Sequence, residues 1–153
     1  IPLTDDLDSV ADQLADMRPL GNTNIALGAE FGWNLLDPQE PYSQGAAYSD
    51  ELTRKFIVIL TDGVQTSREF GAGGVRSVAN AQTNLTTLCS GMRDEGITVF
   101  TIAYDITAAA VTTLLSNCAP GRYYEPDAGG TEIEAVFHEI TGQIKNQVAR
   151  IMR

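Results

Sequence analysis

The chain has 153 residues, a length typical of one domain. Hydrophobic residues make up 43% and charged residues 20%, which is the composition of an ordinary globular protein. The formal net charge of −10 argues against binding to nucleic acids or to anionic membrane surfaces, because both are themselves negatively charged.

Five segments carry apolar residues at helical spacing, and we predict helices at about 5–17, 24–36, 77–95, 108–117 and 131–149. Hydroxyl side chains at the starts of four of these segments are the predicted N-caps: Thr4, Thr23, Thr107 and Thr131, the last opening a capping box. In the second helix, Gly28 and Gly32 indicate that the backbone lies close to a neighbouring element.

Three segments are predicted as strands. The run Phe56–Leu60 is wholly apolar, so we expect strand 55–61 to be buried on both faces in a parallel sheet. Segment 97–104 is rich in β-branched and aromatic residues, and 122–124 is a short third strand near an edge. Because these strands alternate with helices, the predicted fold class is α/β with parallel βαβ units.

The loops and the sheet edge lead to two further expectations. Loop 37–54 lies at the opposite end of the sheet from Asp62, and loop 64–76 lies on the Asp62 side. The glycines of loop 64–76 lack the spacing of a phosphate-binding loop, which argues against nucleotide binding. Three strands leave strand 55–61 at an edge, so we expect upstream residues of a parent protein or another chain to pair with it.

The two cysteines, Cys89 and Cys118, are either a disulfide pair or two buried small apolar residues. If the strands add outward in one direction, helices 77–95 and 108–117 lie side by side, and the two cysteines become neighbours. This placement favours the disulfide, which would stabilise the fold by roughly 3–4 kcal/mol. A disulfide indicates an oxidising compartment.

Two carboxylates follow predicted strands, Asp62 after strand 55–61 and Asp105 after strand 97–104. Ligands of open α/β sheets bind beyond the carboxyl ends of the strands, so both residues stand where a site is expected. The alternative is that Asp62 and Gly63 only turn the chain.

Several motifs together resemble the second half of a von Willebrand factor type A domain, and most closely the version in TadG-like tight-adherence (Flp) pilus-assembly proteins. The matching segments are Gly21–Gly28, Ile57–Gly63, Leu88–Cys89, Gly96–Asp105 and Leu114–Ala119. The resemblance implies a three-layer, Rossmann-like fold with a parallel central sheet. It also implies that the N-terminal strands of that fold lie upstream of Ile1, together with any membrane anchor, since the chain starts without Met and has no long apolar run.

The resemblance implies a metal-ion-dependent adhesion site, with Thr23 as the second-loop ligand and Asp62 as the third-loop ligand. Asn22, Gly63 and Asp105 are the further candidates for the binding face. The first-loop motif of the family, Asp-x-Ser-x-Ser, does not occur in this sequence. We therefore expect Mg²⁺ or another divalent cation to bind in the intact parent, and weakly or not at all to this chain.

The predicted function is that of a non-enzymatic, extracytoplasmic adhesion module, periplasmic or on the bacterial cell surface, that binds a protein of the pilus or envelope. Self-association through the edge of strand 55–61 is a further expectation. The alternative is an α/β enzyme, a hydrolase or a nucleotide-using protein, with its site at the ends of strands 55–61 and 97–104. The lone histidine, His138, and the lack of a Gly-x-Ser-x-Gly motif argue against that alternative.

Overall fold

The computed structural model describes residues 3–18, 20–127 and 130–149. In these ranges the helices are α1 (Leu7–Ala15), α2 (Ile25–Leu36), α3 (Val78–Asp94), α4 (Ala109–Cys118) and α5 (Gly130–Ala149). The strands are β1 (Phe56–Thr61), β2 (Glu69–Phe70), β3 (Arg76–Ser77), β4 (Thr98–Ala103) and β5 (Tyr123–Tyr124). The helix ends differ from the predicted ones by two residues or fewer, which is the usual uncertainty of helix boundaries.

The main sheet has the strand order β1-β4-β5, and both pairings are parallel. Phe56 lies opposite Thr98 and Thr61 opposite Ala103, so β1 and β4 pair along their whole length. The central strand β4 is buried from Val99 to Ala103. An α/β fold with a parallel sheet is therefore confirmed.

Helices cover both faces of this sheet. On one face, α2, α3 and α4 pack over alternate residues of β1 and β4, and the core contains Leu85, Cys89, Met92, Val99 and Leu115. On the other face, α5 places Ile140 against Phe100 and Ile102, which point the opposite way along β4. The alternation of side chains along β4 thus divides its residues between two cores. No helix in the described ranges is long and apolar enough to cross a membrane.

The disulfide between Cys89 and Cys118 is present, with the two Cα atoms 5.1 Å apart. It joins α3 to the last residue of α4, as the side-by-side placement of these helices predicted. Thr101 supports the same contact from the sheet, since its buried hydroxyl donates to the Leu115 carbonyl at 2.9 Å. The Arg93 guanidinium also donates to the carbonyl of Cys118.

Strand β1 is less buried than expected. Val58 is 38% exposed and Leu60 is 47% exposed, whereas Ile59 between them is buried. Burial on both faces was therefore a wrong prediction for this strand. The reason is its position at the edge of the sheet, where α2 covers one face and the aromatic and aliphatic residues of α5 gather mainly on β4.

The four predicted threonine caps are wrong. Asp6 caps α1, its carboxylate accepting from Ser9 N at 3.0 Å, and Asn24 caps α2 by accepting from Leu27 N at 3.0 Å. Asp and Asn are somewhat better caps than Thr, and they stand in the right place here. The N-cap of α4 is Ala108, without a side-chain bond, and α5 begins at Gly130, before Thr131.

The two glycines of α2 differ in their surroundings. A Cβ atom on Gly32 would lie only 2.8 Å from Cδ1 of Ile57, so this glycine lets α2 approach β1 closely. Nothing lies within 4 Å of the corresponding position at Gly28, so the prediction of close packing is wrong there.

A small hairpin that was not predicted occupies part of loop 64–76 and ends at Ser77, the residue before α3. Strands β2 and β3 pair antiparallel, with Glu69 opposite Ser77 and Phe70 opposite Arg76. Gly74 adopts a positive φ of 71°, which only glycine adopts at little cost, and its amide donates to the Gly71 carbonyl at 2.9 Å. Each strand has two residues, too few to show an alternating pattern.

Loop 37–54 lies at the amino end of β1 and is held there by Lys55. The Lys55 ammonium group donates to the Leu36 carbonyl at 2.6 Å and lies 3.6 Å from the centre of the Tyr48 ring. The Tyr48 hydroxyl accepts from Trp33 Nε1 at 2.9 Å and donates to Asp37 at 3.1 Å. Burial lowers the pKa of Lys55, and the Asp37 carboxylate partly opposes that effect.

Candidate functional site at the carboxyl end of the sheet

Three loops meet at the carboxyl end of the main sheet: residues 21–24 before α2, 62–67 after β1 and 104–108 after β4. Because β1 and β4 are parallel and in register, the residues that follow them emerge at the same edge. The amide of Tyr104 donates to the Thr61 carbonyl at 2.9 Å, which extends the pairing one residue beyond β4. Asp62 and Asp105 therefore follow adjacent strands at a common edge.

Thr23 lies against the turn that follows β1. A Cβ atom built on Gly63 would be 3.3 Å from the Thr23 hydroxyl oxygen, so the hydroxyl faces the Gly63 backbone. Thr61 fixes this turn, because its hydroxyl donates to the Gly63 carbonyl at 3.0 Å and accepts from the Gly63 amide at 3.3 Å. The helix-capping role expected for Thr23 belongs to Asn24, so the Thr23 hydroxyl is not used to cap α2.

Gln65 clamps the loop after β1 to the start of α2. Its side chain is buried, and its carbonyl oxygen accepts from the Ile25 amide at 2.7 Å. The side-chain nitrogen donates to the Ser67 carbonyl at 3.1 Å and to the Asn24 side chain at 3.4 Å. A buried amide with these partners holds two distant segments in one arrangement, since each lost bond would leave a buried polar group unpaired. Sequence reasoning missed Gln65.

Backbone hydrogen bonds strengthen the same junction. The Thr23 carbonyl accepts from the amides of Thr66 and Ser67 at 3.1 and 3.0 Å. In return, the Thr23 amide donates to the Thr66 hydroxyl at 2.9 Å. The position of Thr23 beside Gly63 is therefore fixed by its own backbone as well as by Gln65.

Asp62 and Asp105 line one hollow of about 260 Å³, together with Gly63, Val64 and residues 106–108. Both carboxylates are exposed, and Asp105 adopts a positive φ of 52°. The residues lining this hollow include no serine, cysteine, lysine or histidine, so the carboxylate pair has no basic group beside it, and the only hydroxyl among these residues is that of Thr107. His138 is exposed on α5 and is not among them.

A second hollow follows the open edge of β1. This groove, of about 320 Å³, lies between α2 and β1, with Thr23 and Asn24 at the end nearest the carboxyl edge of the sheet. Its walls are mostly apolar and are formed by Ile25, Gly28, Ala29, Gly32 and Ile57–Thr61.

The predicted metal ligands supply only part of a cation site. Within residues 3–18, 20–127 and 130–149, no group of three or more His, Cys, Asp and Glu side chains could hold a metal ion. Thr23 and Asp62 are hard oxygen donors on adjoining loops, which is the ligand type that Mg²⁺ prefers in its octahedral shell. They fit one part of such a shell, and the remaining positions would need water or donors from another segment. Their assignment as ligands stays a prediction.

The fold and this edge define an α/β domain with its loops gathered around one polar edge. No protein-family profile matches the sequence, and no curated protein matches it. Among solved structures, the chain is similar to the pilus adhesin SpaC from Lactobacillus rhamnosus GG, with a TM-score of 0.61 and 15% sequence identity. The similarity covers 97% of this chain and 22% of the adhesin. The two proteins therefore share a fold over this region, and the chain spans about a fifth of the adhesin's length.

Proposed function

We propose that this chain is a non-enzymatic adhesion module that binds a protein partner through the carboxyl edge of its main sheet. The fold that it shares with a pilus adhesin supports an adhesive role. The observation that carries the proposal is the placement of the Thr23 hydroxyl against Gly63, because it brings the two loops implied by the resemblance to one point. The disulfide supports a periplasmic or cell-surface location, since such bonds persist in oxidising compartments.

The finer proposal is that the chain is the C-terminal portion of a von Willebrand factor type A domain of a TadG-like pilus-assembly protein. In this proposal Thr23 and Asp62 hold a divalent cation in the intact parent, and Asn22, Gly63 and Asp105 surround it on the binding face. A bound cation would offer a coordination position to a carboxylate of the partner protein. The protein's own contribution is to hold the Thr23 hydroxyl and the loop of Asp62 in place through Gln65.

The open edge of β1 supports a second contact, self-association of two copies of the chain. Odd-numbered residues of β1 direct their backbone groups to β4, as the bond from the Thr98 amide to the Lys55 carbonyl shows. Phe56, Val58 and Leu60 therefore direct theirs to the free edge. An edge strand with exposed apolar side chains and open backbone groups is a template for another strand.

Paramagnetic Mn²⁺, used in place of Mg²⁺, tests the metal part of the proposal. We expect millimolar-range Mn²⁺ to broaden the amide NMR signals of Thr23, Asp62 and Gly63 first, because a weak site broadens its nearest nuclei. Asp62→Asn should remove most of this broadening. Asp94→Asn, an equal loss of charge at the exposed end of α3, should leave it unchanged.

Equal broadening in wild type and Asp62→Asn would contradict the assignment of Asp62. The same protein should show no turnover of ester or phosphate substrates. Turnover that disappears in Asp62→Ala would favour the alternative, an α/β enzyme with its site at the ends of β1 and β4.

A further inference from the structure

A third hollow lies beside the Thr23 loop and has a different character from the other two. Its volume is about 360 Å³, and it is lined by Asn22, Thr66, Ser67, Arg68 and Arg76. Every one of these side chains can donate a hydrogen bond, and none of them is acidic. In a chain with 20 acidic and 10 basic residues, two arginines around one hollow without a carboxylate form a local exception to the overall charge.

The two guanidinium groups are not neutralised within the described part of the chain. Arg76 donates to the Arg68 carbonyl at 3.0 Å and lies 5.2 Å from the centre of the Phe70 ring. Neither Arg68 nor Arg76 has a carboxylate oxygen within 4.0 Å among the residues described. Both side chains are exposed, so they can form bonds with a ligand that approaches from solvent.

The β2–β3 hairpin explains why the neighbouring acid does not occupy the hollow. Phe70 pairs with Arg76 across the hairpin, so their side chains share one face, and Arg68, which directly precedes β2, lines the hollow together with Arg76. Glu69 belongs to the opposite face, where its carboxylate accepts from the Asn84 side chain of α3 at 2.7 Å. The hairpin thus separates its one acidic side chain from its two basic ones.

The hollow is also tied to the proposed binding edge. The Thr66 hydroxyl accepts from the Thr23 amide, which leaves its own hydrogen available to a ligand. The Ser67 amide donates to the Thr23 carbonyl, so the Ser67 hydroxyl is the group that can bind a ligand. An anion seated between these hydroxyls and the arginines would therefore lie next to Thr23.

We propose that this hollow binds a carboxylate group of the partner protein, with Arg68 and Arg76 as its principal donors. The inference rests on the proposed adhesive function for the identity of the ligand as a protein. Guanidinium groups bind carboxylates through paired, charge-assisted hydrogen bonds. Salt at physiological ionic strength screens charges that lie more than about 8 Å away, which reduces the repulsion from the distant acidic residues of the chain. The exposed Phe70 ring offers an apolar contact to the residue beside the carboxylate.

The test is a titration of ¹⁵N-labelled protein with the blocked peptide acetyl-Gly-Asp-Gly-amide, followed by NMR in buffer freed of divalent cations with a chelating resin. We expect shifts at the amides of Asn22, Thr66, Ser67 and Arg68 and at the side-chain Nε signals of both arginines. The Asn counterpart of the peptide should give none. Arg68→Gln should weaken binding about ten-fold, because it removes one charge-assisted pair. The Arg68 side chain makes no hydrogen bond to other described residues, so the Arg68→Gln variant should fold normally.

The matched control is Arg54→Gln, which removes the same charge from an exposed position at the other end of β1. Equal weakening by this variant, or equal shifts with the Asn peptide, would overturn the proposal. Inorganic phosphate that binds these residues more tightly than the peptide would overturn the assignment of a protein carboxylate. The buffer contains no divalent cation, so the outcome is independent of the Mn²⁺ experiment. A negative result in the peptide titration would not contradict the proposed adhesion site at Thr23 and Asp62.

Discussion

The two sides of β4 are packed very differently. On the side of β5, the helices α3 and α4 are joined by the disulfide, and residues such as Leu115 are completely buried. On the side of β1, the edge strand exposes Val58 and Leu60. We call the side of β5 the closed half, because its apolar side chains are buried, and the side of β1 the open half, because it exposes apolar side chains to solvent.

We expect the closed half to contribute most of the folding stability and the open half to contribute most of the interaction with other chains. Burial of apolar side chains is the main source of folding free energy, and it is concentrated in β4, α3 and α4. The open half carries the groove between α2 and β1 and the free edge of β1, where a further strand would bury surface that is now exposed. Substitutions in the first half should change stability, and substitutions in the second should change association.

The largest effect should come from truncating a leucine in the closed half. Leu115→Ala removes a completely buried side chain and should lower the free energy of unfolding by about 2–5 kcal/mol. The matched variant Leu27→Ala, on the exposed side of α2 at 43% exposure, should cost less than about 1 kcal/mol. Urea unfolding followed by circular dichroism measures both values. Equal losses in the two variants would show that the halves do not differ in stability as their burial suggests.

Opening the disulfide should have the next largest effect. Reduction of the Cys89–Cys118 bond should destabilise the protein by about 3–4 kcal/mol, since the closed loop no longer restricts the unfolded chain. Urea unfolding with and without dithiothreitol gives the difference. The double variant Cys89→Ala/Cys118→Ala is the control, and dithiothreitol should not affect its midpoint. An unchanged midpoint in the reduced wild type would mean that packing of α3 against α4 is sufficient.

The smallest effect on stability, and the clearest on association, should come from the β1 edge. We expect the chain to self-associate at high concentration and Leu60→Lys to make it monomeric, because a charged side chain at an edge strand opposes strand pairing. The unfolding free energy should change by less than about 1 kcal/mol, as Leu60 is 47% exposed. Sedimentation velocity measures the association, with Leu27→Lys as the control away from the edge. A wild-type chain that is monomeric at every concentration would contradict self-association through β1.

Regular patterns account for the parts of the fold that sequence reasoning anticipated. The apolar runs of β1 and β4 and the helical stripes are local signals, and the structure has strands and helices at those positions. The burial of β1 was overestimated because composition alone does not tell an edge strand from a central one. The caps of α1 and α2 were misassigned because Asp6 and Asn24, which stand one or two residues after the predicted threonines, are at least equally good capping residues.

The candidate site was anticipated less completely. Parallel strands predict that Asp62 and Asp105 share an edge, and the resemblance suggested the loop of Thr23. The clamp that joins these loops depends on Gln65 and Ile25, which are 40 positions apart, and no local pattern marks a single glutamine for such a role. The short hairpin with Arg68 and Arg76 gives no periodic signal either, so the polar hollow beside Thr23 could not be seen in the sequence.

The covalent link between α3 and α4 also has a mechanical consequence. Residues 89 and 118 are separated by 29 positions, so the intervening segment cannot lengthen while the bond is intact. If the chain were stretched from its ends, as happens to a tether under flow, its full extension would be shorter by about 100 Å than that of the reduced form. The central strand β4, the whole of α4 and the C-terminal end of α3 lie inside this segment, so a pulled domain would retain a compact remnant.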